Sequence, residues 1–456
     1  MSVHPNRRIP GPMAVFLGVI LLGWISEPVR SEPILPDSLL KGINERVDAS
    51  IRDWIEYYKI CHANPELSLN EKESAARLAK VFADAGLTVT PNVGGFGVVG
   101  VLANGEGPTI LIRCDMDALP IVEETGLAYA SKVMHTRSGG AKVGVMHACG
   151  HDMHQTVMAG TAQTLAAMKD QWSGTLVLIA QPAEEIGQGA RLMIEDRLFE
   201  RFPKPDKCIA LHVSHEMKTG TVGYTPGWAF ANVDSVDITI HGKGGHGAHP
   251  HTTVDPVVAA AQLVLSLQTI VSRRVDPRDT AVVTVGSIHA GTKHNIIPDD
   301  ARLQLTVRSY TDEVRKLLLD SIRQIAEDIS KAAGCPRPPT VQVLDADFTP
   351  AAYNDPELSA AAAEVFRQLV GAENTIERRP TMGGEDFGRY ARLLKVPGFM
   401  FWLGVVDEAR FKAAHEPGGT PLPSVHSAKF KTDPEPTIRT GVRCMTSLAL
   451  SLLDRK

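Results

Sequence analysis

The order of strand-like and helix-like segments changes between residues 229 and 339, and this change limits the folds open to the chain. Before residue 229, apolar strand-like runs alternate with amphipathic helical segments, which is typical of an α/β layer. Between residues 229 and 339 the order becomes strand, helix, strand, strand and helix, which is typical of a ferredoxin-like α+β unit. The first pattern then returns. We therefore predict a second domain inserted into the first.

The length of the chain agrees with two domains. A single hydrophobic core usually stops growing at about 250 to 300 residues, and this chain has 456. We predict an α/β domain with a central mixed sheet, built from residues 36–228 and 340–456, and an inserted α+β domain built from residues 229–339. Residues 341–343 are a candidate closing strand for the insert.

Hydrophobic periodicity predicts the individual elements. The helices and strands predicted for the first domain are 38–61, 71–85, 98–103, 109–112, 153–168, 175–180, 207–212, 355–369, 399–403 and 434–453. Those predicted for the insert are 235–241, 254–271, 281–289, 302–308 and 312–333. Asn104 and Gly105 lie between two of the strands, and this dipeptide favours a tight hairpin. We therefore expect the strands 98–103 and 109–112 to form a hairpin.

The composition and the N-terminal segment limit the class and location of the protein. A formal charge of −5 without runs of like charge argues against nucleic-acid binding. Six cysteines without paired spacing are weak evidence for a disulfide framework. Residues 1–31 place Arg7 and Arg8 before an apolar stretch, as in a signal peptide. That stretch is shorter than the roughly 20 residues of a spanning helix. We expect export to the periplasm or outside, with an uncleaved membrane anchor as the alternative.

Potential metal ligands are unusually dense near residue 150. His147, Cys149, His151, Asp152 and His154 lie within eight residues. The glycine between Cys149 and His151 permits a backbone geometry that turns both side chains toward one cation. A thiolate also has more than one usable lone pair and could bridge two metals. Taken singly, each residue is more often a packed structural group, and Cys149 could be a free buried thiol.

A pair of adjacent acids, Glu184 and Glu185, follows a predicted strand. Adjacent extended residues point to opposite sides, so one carboxylate can bind a metal while the other moves protons. A solvated acidic pair is the alternative interpretation. Further candidates are Asp115, Asp117, His212, His246, His249 and His426. Together these side chains supply the ligands and the spare base that two-metal hydrolysis requires.

Five stretches resemble motifs of the M20 family of metallopeptidases. They are residues 114–120, 146–152, 181–185, 242–246 and 382–387. The resemblance extends in order from about residue 51 to residue 448, and it is greatest to the amidohydrolase branch. That branch includes hippurate hydrolases, N-acyl-amino-acid amidohydrolases and plant auxin-conjugate hydrolases. The resemblance implies a catalytic domain like that of the zinc exopeptidases and an insert that acts as a lid and dimerisation domain.

The resemblance also implies two bound divalent cations. Zinc or manganese is expected, with cobalt or nickel as alternatives. The implied bridging ligand is Cys149, with His151 and His212 on one cation and Glu185 and His426 on the other.

Catalytic and binding roles follow from the same resemblance. Glu184 is implied as the general base that takes a proton from a metal-bridging water. His246 would donate to the oxyanion, in this family often across a dimer interface, which implies a homodimer. Asn295 and Arg308 would bind the substrate carboxylate or nearby polar atoms, although Arg308 could instead be a solvated strand-end arginine. Many M20 peptidases have a His-x-Asp where this chain has Asp115-Met116-Asp117, so no histidine ligand is expected there. Asp117 would orient a metal ligand instead of binding the cation.

The function implied is hydrolysis of the amide bond of N-acyl amino acids, with a small molecule as the partner. An exported metallocarboxypeptidase or dipeptidase is the first alternative. A non-catalytic binding protein of the same fold is the second, and Glu184 argues against it because binding alone needs no base.

Overall fold

A computed structural model describes residues 34–136 and 139–456. The predicted signal peptide, residues 1–31, lies outside these residues. All six cysteines lie inside them and are free thiols, which agrees with their scattered spacing. The described chain contains two large sheets, and each sheet has a hydrophobic core of its own.

The larger sheet is mixed and has eight strands in the described part of the chain. From one edge to the other these are Thr88–Val93, Gly97–Ala103, Thr175–Gln181, Thr109–Asp115, Lys207–Lys218, Gly398–Val406, Val222–Tyr224 and Thr375–Glu377. The middle of the sheet is parallel, and the pairs nearer its edges include antiparallel ones. Buried strands of this kind read as continuous apolar runs. This mixed sheet confirms the predicted fold class.

Helices cover both faces of the larger sheet. On one face lie Asp37–Ala63, Lys72–Asp84, His151–Ala167, Pro356–Val370 and Pro434–Leu452. The shorter helices Gly189–Glu195, Leu198–Arg201 and Gly388–Leu394 cover the other face, and Glu408–His415 lies in a late connection. The first helix buries Leu39, Ile43, Val47, Ile51 and Trp54. Their spacing of three or four residues puts them on one face of the helix, as the periodicity predicts.

The predicted hairpin at Asn104 and Gly105 is wrong. The strand Gly97–Ala103 pairs with Thr175–Gln181, which lies between it and Thr109–Asp115. The Asn104 side chain donates to the backbone carbonyls of Lys169 and Trp172 instead of closing a two-residue turn. A local turn signal is therefore overridden because the intervening strand pairs on both sides.

The second sheet is antiparallel and has the strand order Ala281–Ala290, Asp300–Ser309, Asn232–His241 and Thr340–Val343. The helices Pro256–Arg273 and Asp312–Ala332 pack on it and enclose its core. Its last strand lies just beyond residue 339, at the position of the candidate closing strand. The proposed domain boundaries at 229 and 339 stay a prediction.

Short strand pairs complete the described structure. They are Gly227–Phe230 with Ala352–Asn354, Gly245–His246 with Ile296–Ile297, Trp172–Ser173 with Asp454–Arg455, and Met134–Thr136 with Lys142–Gly144. The 3-10 helices are Pro250–Thr252, Asp345–Asp347 and Ala372–Asn374.

Candidate functional site

The predicted metal ligands come from separate segments that meet at one edge of the larger sheet. They lie at the start of the helix His151–Ala167, in the turn after Thr175–Gln181, within Lys207–Lys218 and in the loop that carries His426. Gly150 precedes the helix with a φ of 79°, a left-handed conformation that favours glycine. The helix can therefore begin directly beside Cys149.

The five predicted ligands lie close enough together to hold two cations. Donor atoms of Cys149, His151 and His212 all lie within 4.8 Å of one another, and so do those of Cys149, Glu185 and His426. Cys149 Sγ is 3.5 Å from His212 Nε2, and His426 Nε2 is 3.4 Å from Glu185 Oε2. Cys149 belongs to both groups. The arrangement therefore suits a sulfur that bridges two metal sites, although the role of each ligand stays a prediction.

The donor atoms fit divalent cations in their chemistry as well. His151 Nε2 and Glu185 Oε1 are buried and have no hydrogen-bond partner among the described residues, which is costly unless something binds them. Burial, joined by nearby carboxylates, raises the pKa of the Cys149 thiol and raises the pKa of Glu185 to about 7. Bound cations would satisfy the unpaired atoms and favour the charged forms.

Asp117 forms hydrogen bonds with Glu184, Glu185 and His151. Its two carboxylate oxygens accept the backbone N–H groups of Glu184 and Glu185 at 3.1 and 3.0 Å. Its carbonyl oxygen is 2.8 Å from His151 Nδ1, and Ser68 Oγ donates to its carboxylate at 2.6 Å. Asp117 thus contacts both the acidic turn and His151, whose Nε2 stays free for a cation. Its role in orienting a metal ligand stays a prediction.

Glu184 sits in a turn that a distant acid holds in place. Ala183 has a φ of 52°, an uncommon value for a residue with a side chain. Its N–H donates to Glu71 Oε1 at 2.8 Å. Burial first, and then the nearby Glu385 and Glu185 carboxylates, raise the pKa of Glu184. The raised pKa suits a side chain that accepts and returns a proton.

The strand that carries His212 does not end there as predicted. It runs from Lys207 to Lys218, because Gly398–Val406 continues to pair with it through Val406. The neighbouring strand on the other side stops pairing at Ala210. His212 therefore lies just past the end of that pairing and still contacts Cys149.

A cavity of about 560 Å³ opens beside the cluster. Cys149, Glu184, His212, His426 and Arg308 all line it, and its size lies in the range of small-molecule sites. Arg308, predicted to bind the substrate carboxylate, therefore lines the same cavity as Glu184, the predicted base.

Two predicted site residues do not reach this cavity within one chain. His246 and Asn295 are exposed, and their segments form a separate two-stranded pair, with the N–H of Gly247 donating to the carbonyl of Asn295 at 2.9 Å. His249 lies close to His246 and is exposed as well. A role for His246 or Asn295 therefore requires a second subunit or a movement of the insert.

A buried arginine, for which the sequence predicts no role, binds the acidic side chains beneath the site. Arg113 donates to Asp115 at 2.7 Å and to Asp386 at 3.0 Å, and its guanidinium lies 2.9 Å from a Glu385 oxygen. Asp115 in turn is 2.6 Å from His154 Nδ1. A buried charge needs partners of this kind. The positive charge of Arg113 therefore offsets three carboxylates that are buried beneath the candidate metal ligands.

A second buried ionic group adjoins the site and was also missed. His62 Nδ1 is 2.7 Å from an Asp152 oxygen, and its Nε2 is 3.0 Å from a Glu123 oxygen. Burial opposes protonation of His62, but hydrogen bonds to these two carboxylates outweigh it and raise its pKa to about 10. His62 is therefore charged at neutral pH.

Replacing His62 with Gln is expected to lower the free energy of unfolding by about 3 to 5 kcal/mol, because two buried carboxylates lose their counter-charge. The folded pKa of His62, about 10, lies above its ordinary value of 6.5. Its contribution is therefore complete below about pH 6.5 and is lost as the pH rises through about 10. Urea unfolding at pH 6, 8 and 10 measures this, and a difference between variant and wild type that is constant with pH would contradict it.

Comparisons with known proteins show the family to which the chain belongs. Residues 111–419 match peptidase family M20/M25/M40. The chain is 36% identical over 411 residues to thermostable carboxypeptidase 2 of Saccharolobus solfataricus, covering 89% of this chain and 97% of that protein. It is 39% identical over 378 residues to an N-acetyldiaminopimelate deacetylase of Streptococcus sanguinis, covering 81% and 93%.

A solved structure from Bacillus subtilis, described as a dinuclear metal binding peptidase from the M20 family, is similar in fold. It superposes with a TM-score of 0.72 and 30% identity, covering 89% of this chain and 99% of that one. The mixed sheet, the clustered ligands and the two curated relatives lead to one conclusion. The chain belongs to peptidase family M20/M25/M40 and is a hydrolase of its amidohydrolase branch.

Proposed function

We propose that the protein hydrolyses the amide bond of N-acyl amino acids. The observation that carries this proposal is the shared cavity that Glu184, Arg308 and four of the five candidate metal ligands line together. A base, two cation sites and a guanidinium are the groups needed to cut an amide next to a free carboxylate. The Streptococcus relative, named as a deacetylase of an N-acetylated amino acid, supports the same substrate class.

Two cations, when bound, would lower the pKa of a water ligand and polarise the amide carbonyl. Residues of the chain transfer the proton and hold the reacting groups in place. Glu184 accepts the proton of the attacking water and returns it to the leaving nitrogen. Asp117 keeps the Glu184 backbone fixed during both transfers.

Arg308 binds the free carboxylate of the substrate. Its guanidinium is half-buried, and its hydrogen bonds go to Thr306 Oγ1 and to the carbonyl of Met382. No carboxylate pairs with it within residues 34–136 and 139–456. Burial lowers the pKa of Arg308 from its ordinary value, yet a guanidinium stays charged. It can therefore meet a carboxylate with two parallel hydrogen bonds.

Carboxypeptidase activity on small peptides is the second candidate, because the Saccharolobus relative carries that name. Both reactions use the same groups of the site. Assays of N-acetyl amino acids beside unblocked dipeptides separate the two. Faster hydrolysis of the acylated compounds supports our proposal, and a requirement for a free α-amine contradicts it.

We also propose that two copies of the chain form a homodimer through the insert. Ala281–Ala290 is an edge strand of the second sheet, and Ile288 on it is 49% exposed. The outer face of Pro256–Arg273 exposes Val258 and Leu265, the latter by 72%. Open edges and apolar stripes favour association. In such a dimer we expect the exposed His246 to enter the partner's cavity.

Mixing two inactive variants is expected to restore activity if His246 acts across the dimer. Glu184→Gln lacks the base, and we expect His246→Ala to lower kcat by about 10²- to 10³-fold because an oxyanion donor is lost. Half of the randomly reassorted dimers are mixed and hold one complete site, so activity should return to about one quarter of wild type. The measurement is activity after dissociation and reassociation of the mixture. Absence of recovery in a proven mixed dimer contradicts donation across the interface.

Finally, we propose export of the protein with cleavage near residue 31. The basic and apolar N-terminal residues support this. N-terminal sequencing of the mature protein tests it, and retention of Met1 would favour the membrane anchor.

A further inference from the structure

The cavity carries a charged side chain that the proposed mechanism does not use. Asp347 ends the 3-10 helix Asp345–Asp347 and lines the cavity together with Arg308. Asp345, two residues earlier, is exposed and is not part of the cavity lining. The same turn therefore presents one carboxylate to the cavity and one to solvent.

Backbone pairing puts Asp347 on the wall that carries Arg308. Thr349 exchanges two backbone hydrogen bonds with Val233, at 2.8 and 3.0 Å. Val233 in turn pairs with Arg308 in the second sheet. Asp347 lies two residues before Thr349 and lines the same cavity as Arg308, so both side chains belong to the wall that these paired segments form.

The Asp347 carboxylate is not neutralised by neighbouring cations in the described residues. Arg315 lies over the Phe348 ring at 3.8 Å but pairs with Asp234 at 2.6 Å. Arg389 donates to the carbonyl oxygen of Phe348. Arg308 bonds to uncharged oxygens. One wall of the cavity thus offers an unpaired cation and an unpaired anion.

We propose that Asp347 binds an ammonium group on the substrate and selects N-acyl diamino acids. The inference rests on the proposed function, in which Arg308 takes the α-carboxylate. Because both charged side chains lie on one wall, the ammonium that fits them belongs to the amino-acid half of the substrate. The free amine of a dipeptide lies instead across the scissile bond, in the half that is cleaved away from the carboxylate. A lysine-like side chain is therefore the complementary class.

Nα-acetyl-lysine and Nα-acetyl-norleucine form the matched pair for the test, because their side chains have similar length and differ in the ammonium. The metal-loaded wild type should show a kcat/KM about fivefold to tenfold higher for the lysine compound. Asp347→Asn should remove most of this preference. Asp345→Asn, in the same turn, should keep it. The wild-type preference should also fall as salt is added.

Charge reversal provides a second variant. Asp347→Lys should reverse the order of the substrates and favour Nα-acetyl-glutamate over Nα-acetyl-lysine. Equal rates for lysine and norleucine compounds in the wild type, or a preference that Asp347→Asn leaves intact, would overturn the assignment of Asp347 while leaving the proposed function standing. Failure of the wild type to hydrolyse any of these compounds would overturn the proposed function itself.

Discussion

Glu184→Gln is expected to lower kcat by about 10²- to 10⁴-fold, the range that a positioned general base contributes. The amide has nearly the shape of the carboxylate but accepts no proton. Glu184 lines the cavity, and its backbone is held by Asp117, so the substitution should leave the turn in place. Steady-state kinetics with Nα-acetyl substrates measures the effect.

Two controls separate lost chemistry from lost structure in this variant. Metal content and unfolding temperature should match the wild type, because Glu184 is not among the predicted ligands. Glu195→Gln, on the exposed side of the helix Gly189–Glu195, should keep full activity. If Glu184→Gln turned over every tested amide at the wild-type rate, the assignment of the base would be wrong.

Cys149→Ala is expected to lower kcat/KM by more than about 100-fold. The thiol belongs to both ligand groups, so its removal weakens both cation sites, and losses at groups that only support ligands already reach about 10- to 100-fold. A chelator should inactivate the wild type in the same way, with recovery on addition of zinc or manganese. Activity assays before and after chelation give both results.

Cys208→Ala is the matched control for this thiol. Cys208 is fully buried in the strand that also carries His212, and it belongs to no ligand group among the described residues. Its replacement should affect stability more than turnover. Full activity of Cys149→Ala in chelated enzyme would remove both the thiolate and the metals from the mechanism.

The cluster near residue 150 could be predicted because its ligands lie close together in the chain. The left-handed Gly150 and the helix start at His151 convert that local spacing into a shared site. Glu185 and His212 could be predicted because both were expected at the ends of strands in an α/β sheet, where reactive side chains gather at one edge. The spacing of ligands in the sequence and the topology of the larger sheet therefore predict the same metal site.

The supporting acids and bases could not be predicted, because their partners are distant in sequence. Arg113 meets Asp386 across 273 residues, and Glu71 holds Ala183 across 112. The sequence around Arg113 or Glu71 does not distinguish either residue from a charged residue on the surface. The predicted hairpin at Asn104 is wrong for a related reason. The sequence near Asn104 does not show that the distant strand Thr175–Gln181 pairs between Gly97–Ala103 and Thr109–Asp115.

The most direct test of the account is a crystal structure of the zinc- or manganese-loaded enzyme with anomalous data at the metal edge. We predict two anomalous peaks per chain, roughly 3.5 to 4 Å apart as in two-metal sites. The Cys149 sulfur should lie within bonding distance of both. A single peak, or two peaks that do not share this sulfur, would contradict the bridged pair on which the mechanism depends.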